Sequence, residues 1–204
     1  DRLPVTTHHI MPYFTEKYMN GISAEEFFDR FEMDAIRWAA PLTGDPDRGE
    51  YRDPDQEDPG FLQVSRVSSD SWRVGIEELP DNQYSSTRHT IHTPKGTLTA
   101  VLQANDYTEW VSEHLIKEKK DIDLVARYQT FPICDVEKVN REAEEFGERG
   151  IIRGFIIPFD VYGQPGCWQD FCCVRGTERA IMDTFDDPKW VHEFLSLIQK
   201  RKLH

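Results

Sequence analysis

The sequence predicts an α/β protein interrupted by an antiparallel insertion, and three features predict it. Apolar runs suited to buried strands, at 33–40 and 151–159, alternate with amphipathic helical stretches. Between them, four segments rich in β-branched and aromatic residues are separated by turn formers. The composition, 38% hydrophobic and 12% aromatic over 204 residues, supplies a core for one domain of the usual size, about 100–200 residues.

Residues 3–9 (Leu-Pro-Val-Thr-Thr-His-His) read as a short buried strand. Ser23, followed three residues later by Glu26, forms a capping box that starts a helix bearing Phe27, Phe28 and Phe31. A second strand is expected over 33–40, ended by Pro41. The stretch 43–60 is dense in Asp, Pro, Gly and Glu and reads as a long loop. Segments 62–68, 71–79, 84–92 and 97–103, divided by Pro80-Asp81-Asn82 and Pro94-Lys95-Gly96, predict an antiparallel meander. Loop and meander together make the insertion, 43–104.

Beyond it, 110–120 reads as an amphipathic helix and 125–133 as extended near its end. The pattern over 136–150 predicts the clearest helix, and 151–159 a strand buried on both faces. Two short helices are expected at 167–173 and 176–185. A last one starts at Asp187-Pro188, with Val191, Phe194, Leu195 and Ile198 as its core stripe. Its basic end, Lys200, Arg201 and Lys202, complements the helix dipole. Buried strands alternating with helices imply parallel pairing.

Charge narrows the function classes. Twenty-four Lys and Arg against 37 Asp and Glu give a net −13, a field that repels phosphate. Sequence-independent nucleic-acid binding and docking to an anionic membrane are not expected. No apolar run approaches the ~20 residues of a membrane span. The chain opens Asp-Arg-Leu-Pro-Val, without Met or the basic-then-apolar pattern of a signal peptide. Cys134, Cys167, Cys172 and Cys173 contain no C-x-x-C pair and read as reduced thiols in a cytoplasmic protein.

Three stretches carry a family resemblance: Asp1-Arg2-Leu3-Pro4-Val5 at the start, Thr87-Arg88-His89-Thr90-Ile91-His92-Thr93-Pro94-Lys95-Gly96-Thr97-Leu98-Thr99, and Asp186-Asp187-Pro188-Lys189-Trp190-Val191-His192-Glu193-Phe194-Leu195. Together they resemble the uroporphyrinogen decarboxylase superfamily: its first barrel strand, the hairpin insertion of its methyltransferase-type members, and a helix after its mid-barrel strands. The resemblance implies a (β/α)8 TIM barrel with its active site at the carboxyl ends of the strands. A whole barrel takes about 250 residues, so the chain is expected to be the N-terminal half. Half a barrel leaves sheet edges that a second copy, as a homodimer, or another partner would cover.

Within that superfamily, porphyrinogen decarboxylases resemble one another in an Arg-rich segment after the first strand. Here that place reads Thr6-Thr7-His8-His9-Ile10-Met11-Pro12-Tyr13-Phe14, with no guanidinium to match a carboxylate. The resemblance therefore points to the branch of corrinoid-linked methyltransferases and O-demethylases, which act with a corrinoid protein on a small-molecule substrate. It implies a zinc site built from ligands of the second barrel half. A decarboxylase and a non-catalytic half-barrel binding module are the alternatives.

Candidate site residues follow from position. His8 and His9 end the first strand segment, where alternation turns only one inward as a proton-transfer or hydrogen-bonding group. Asp160 and Tyr162 follow the 151–159 strand, the carboxylate as base or substrate orienter. Gln129 and Arg127 hold a similar place one segment earlier, as substrate-binding groups. Arg88, on the hairpin, is placed to cover an anionic ligand. His89 and His92, three apart on a strand, face opposite ways and cannot readily share a metal. Cys167, Cys172 and Cys173 read as small core hydrophobes, and no metal ligand is assigned.

Overall fold

The structure is a computed structural model describing residues 3–8, 10–39, 42–57, 65–80, 83–154 and 156–204. In chain order the elements begin with α1 (Pro12–Tyr18), α2 (Ala24–Arg30), β1 (Ala35–Ala39), β2 (Leu42–Thr43), β3 (Glu50–Glu57) and β4 (Ser65–Ser69). The meander follows as β5 (Arg73–Leu79), β6 (Ser85–Thr93), β7 (Gly96–Ala104) and β8 (Glu109–Glu113). Then come α3 (Ile122–Tyr128), β9 (Ile133–Cys134), α4 (Val136–Phe146), β10 (Gly150–Gly154), α5 (Cys167–Arg175), α6 (Thr177–Asp186) and α7 (Pro188–Lys202). The chain divides into two compact units. No helix among the described residues is long and apolar enough to cross a membrane.

The first unit comprises Asp1–Leu42, Asp55–Ser65 and Cys134–Phe155. Its centre is a parallel pair, β1 beside β10, in register from Ala35↔Gly150 to Ala39↔Gly154. Glycine is required at 150 by proximity: a Cβ there would stand 1.8 Å from the Ala35 carbonyl oxygen. Helix α2 starts with the expected capping box, Ser23 Oγ accepting from the Glu26 N–H while the Glu26 carboxylate accepts from the Ser23 N–H. Phe28 from α2 and Phe146 from α4 join Ile10 and Ala35 in a small apolar cluster. Phe27 packs partly against it, whereas Phe31 is half-exposed, its ring 4.6 Å from that of Phe27.

The second unit comprises Thr43–Pro54, Arg66–Ile133 and Ile156–His204. Strands β5-β6-β7-β8 form a four-stranded antiparallel sheet in sequence order. Cross-strand partners share a face, so Val74, Ile91 and Leu98 make one apolar row. Ile116, Val125, Phe171, Val174, Val191, Phe194 and Ile198 join that row in one core. The opposite face carries Glu77, Arg88, Thr90, Thr99 and Gln103, the alternation of a sheet wet on one side.

The fold class is mixed α/β, with the expected parallel pairing and antiparallel insertion both present. Several elements differ from expectation. Residues 3–8 form no strand, and Leu3 and Val5 are exposed; the Val5 N–H donates to the Asp34 carboxylate and the Val5 carbonyl accepts from the Asp34 N–H, which makes no ladder. His9 lies outside the described residues. The polar stretch after Thr43 holds a short turn of helix and then β3, which pairs with β4, so β4 is not a meander strand.

The meander gains β8 instead, taken from residues whose 3.6-residue pattern suggested a helix; sheet pairing with β7 overrides it. Conversely 122–128 is helical, its Ile122 and Val125 spaced for one buried face. The strand expected over 151–159 stops at Gly154, and Ile151 and Ile156 are exposed rather than buried. Among the described residues the strands form one four-stranded sheet and separate pairs, and no barrel closes.

Candidate functional site

Polar side chains concentrate in two places, one in each unit. In the first unit they lie at the carboxyl end of the parallel pair, where Trp38 of β1 and Arg153 of β10 are register partners. The Arg153 guanidinium stacks 4.5 Å from the Trp38 ring centroid. His8 meets the same indole edge-on at 5.4 Å, and Arg153 Nη1 donates to His8 Nδ1 at 2.6 Å. Because arginine has no acceptor, this bond puts the His8 proton on Nε2. His8 and Arg153 are both exposed.

This arrangement presents a fixed positive charge, an imidazole of defined tautomer and a flat apolar wall. Those are the parts needed to seat a small oxygen-bearing substrate. In open and closed α/β sheets alike, ligands gather at the carboxyl ends of parallel strands. Arg37, one residue before Trp38, turns to the other face, pairing with Glu25 over the Phe146 ring. Arg37 is therefore not a second guanidinium beside Arg153.

In the second unit a group of polar side chains around Asp160 is buried and hydrogen-bonded together. Asp160 Oδ1 accepts from Arg201 Nη2 at 2.6 Å, and Oδ2 accepts from Trp72 Nε1 at 3.1 Å and Gln129 Nε2 at 3.2 Å. Its own carbonyl accepts from Arg66 Nε at 2.9 Å. Arg201 Nε and Nη1 donate to the Thr130 and Pro158 carbonyls. The Asp160 and Arg201 side chains are only 5% and 3% exposed.

Lys202 repeats the pattern beside it, reaching Asp170 Oδ2 at 2.9 Å and the Ile157 and Gln164 carbonyls. Asp170 Oδ1 takes the Phe159 and Gln164 N–H groups. Burial raises the Asp170 pKa above the ordinary carboxylate value against these partners. Two consecutive cations of α7 thus pin the segment 157–164.

The remaining candidates are dispersed. Gln129 serves Asp160. Tyr162 donates to the Glu109 carbonyl at 3.1 Å, and burial raises its pKa. Arg127 lies at the end of α3 over the Tyr128 ring. Arg88 pairs with its cross-strand partner Glu77 at 3.3 Å on the wet face. His89 is buried and His92 exposed, on opposite faces as their spacing requires. Cys167, Cys172 and Cys173 are partly buried, and burial pushes the Cys173 thiol up to about 11. Among the described residues no three His, Cys, Asp or Glu side chains converge to hold a metal. The resemblance places its zinc ligands in the second barrel half, and no residue here is assigned to that site.

Trp38, Arg201 and Lys202 are the residues that sequence reasoning missed. Trp38 becomes visible only through the β1–β10 register. The two cations were read as complements to a helix dipole, although their place in the last turn, beside the core residue Ile198, already put them near apolar surface. Comparison with known proteins finds nothing alike: no family model matches, and no curated protein or solved structure resembles the chain at a significant level.

Proposed function

We propose that this chain supplies the substrate-positioning part of an enzyme of the uroporphyrinogen decarboxylase superfamily. The reaction is methyl transfer or O-demethylation with a corrinoid protein as partner, on a (β/α)8 scaffold to which β1 and β10 belong. The observation that carries the reading is the His8–Arg153–Trp38 cluster at the carboxyl end of a parallel strand pair. The three family-like stretches and the antiparallel insertion add support.

Within this reading Arg153 binds a single anionic or oxygen-bearing group of the substrate, and His8 orients it or passes a proton at Nε2. Trp38 walls one side and keeps water off the flat of the substrate. Methyl transfer needs an in-line approach of donor and acceptor, so positioning carries much of the rate. The corrinoid partner supplies the methyl-exchanging centre. Asp160, held by Arg201, Trp72 and Gln129, acts as a positioning residue for its own loop.

Arg37 of β1 turns away from Arg153, which disfavours a polycarboxylate porphyrinogen needing several guanidinium partners. The test mixes the protein with its reduced corrinoid partner and a panel of methoxylated and methylated small molecules, following the corrinoid absorbance. In a protein that also carries the second barrel half, methylation of the corrinoid is expected, slowed by Arg153→Gln and His8→Ala without loss of folding; the chain alone is expected to be inactive. Carbon dioxide release from a porphyrinogen would move the assignment to the decarboxylase. A stable complex without turnover of either kind would leave a binding module.

A further inference from the structure

The bond between Arg153 and His8 exists in one protonation state only. Arg153 Nη1 donates to His8 Nδ1 at 2.6 Å, so that ring atom must offer a lone pair. A proton arriving at Nδ1 takes the lone pair, breaks the bond and sets an imidazolium beside a guanidinium. Two like charges so placed repel unless an anion stands between them.

The charged groups around the cluster do not supply that anion. Among the described residues Arg153 has no carboxylate partner, and its Nε and Nη2 donate to nothing. On β1, Arg37 faces the other way and pairs with Glu25; Asp34, just before the strand, accepts from the Val5 N–H. Glu25 and Asp29 of α2 also hold Arg149, which precedes Gly150 at the far end of β10. Helices α2 and α4 cover the Arg37 face through Phe28 and Phe146, across the strand pair from His8. Leu3 to Thr7, the described neighbours of His8 on its own segment, carry no charge. Because His8 and Arg153 are exposed, an anion reaches them from solvent without any cavity opening.

We propose that His8 and Arg153 form a proton-coupled site for a small carboxylate or sulfonate, with one proton taken up at His8 Nδ1 for each anion bound. The oxyanion accepts from the new Nδ1–H and from the freed guanidinium. Trp38 keeps the guanidinium in place by stacking while its hydrogen-bond partner changes. By linkage, protons tighten the anion and the anion tightens the proton by the same factor. The proposal rests on this cluster being the substrate-positioning site, as in the methyl-transfer reading, but not on methyl transfer itself.

Methanesulfonate is the probe, since its charge is fixed from pH 5 to 8, the range in which imidazoles titrate. Dimethyl sulfone is the uncharged control, and chloride holds the ionic strength. Nitrogen-15 spectra of the His8 ring in the full chain should show saturable binding about tenfold or more weaker at pH 8 than at pH 5. Calorimetry in two buffers of different ionisation heat should read the uptake of about one proton at the midpoint. His8→Gln keeps an acceptor for Arg153 but has no proton to gain, so it should bind at the wild-type pH 8 level throughout. Absent binding, a level affinity, an equal slope in His8→Gln, or no proton uptake overturns the proposal. A level affinity would still leave Arg153 an anion binder under the methyl-transfer reading. Coupled binding without corrinoid methylation by the longer protein would instead overturn that reading.

Discussion

The two units use polar residues in opposite ways. In the meander-and-helix unit, Asp160, Asp170, Arg201 and Lys202 are buried, and each meets several partners. In the parallel-pair unit, His8 and Arg153 are exposed and gathered on one indole. Buried charges tolerate no unpaired neighbour, so the first arrangement holds structure together. Exposed, pre-oriented groups add little to stability and are available to a ligand. The contrast teaches that a carboxylate after a strand is not by itself reactive; its hydrogen-bond saturation decides.

The comparison breaks most visibly at Arg201. Arg201→Ala strands Asp160 and two carbonyls and should cost about 3–5 kcal/mol, read as a large fall in melting temperature. A loss below about 1 kcal/mol would mean the buried network is not what holds the second unit.

Acid titration sharpens the same contrast. The folded-state pKa of His89 lies below its unfolded value, so its neutral form adds stability that is fully present above pH 6.5 and lost as pH falls toward about 4. His89→Leu should flatten that part of the stability curve by about 1–3 kcal/mol in chemical denaturation at a series of pH values. Identical curves would remove His89 as the source of the slope.

In the first unit, Ser23→Ala should cost about 1 kcal/mol by losing the cap of α2. His8→Ala should change stability by less than about 0.5 kcal/mol, as an exposed position does, while lowering turnover in the corrinoid assay. If His8→Ala instead unfolds the unit, the cluster is structural and the functional contrast falls.

Local signals were legible wherever a short pattern decides the outcome. The capping box at Ser23 and Glu26, the Pro188 start of α7 and the helix before Gly147 could all be read from neighbours in sequence. What could not be read depends on distant partners. Residues 110–113 look helical by period, but pairing with β7 makes them part of a strand. Arg201 and Lys202 look like surface cations, but loop carbonyls some forty residues away draw them inside. Asp160 was singled out by position alone; nothing local announces Trp72 and Gln129 as its partners.

Gly150 carries a consequence for anyone wishing to alter this protein. The seam between Ala35 and Gly150 admits one hydrogen atom and no methyl group, since the first carbon of any side chain would meet an oxygen at 1.8 Å. Widening it at that end would tilt the neighbouring backbone and pull Arg153 off Trp38 from a distance. An engineer could thus retune the aromatic corner without touching His8, Trp38 or Arg153.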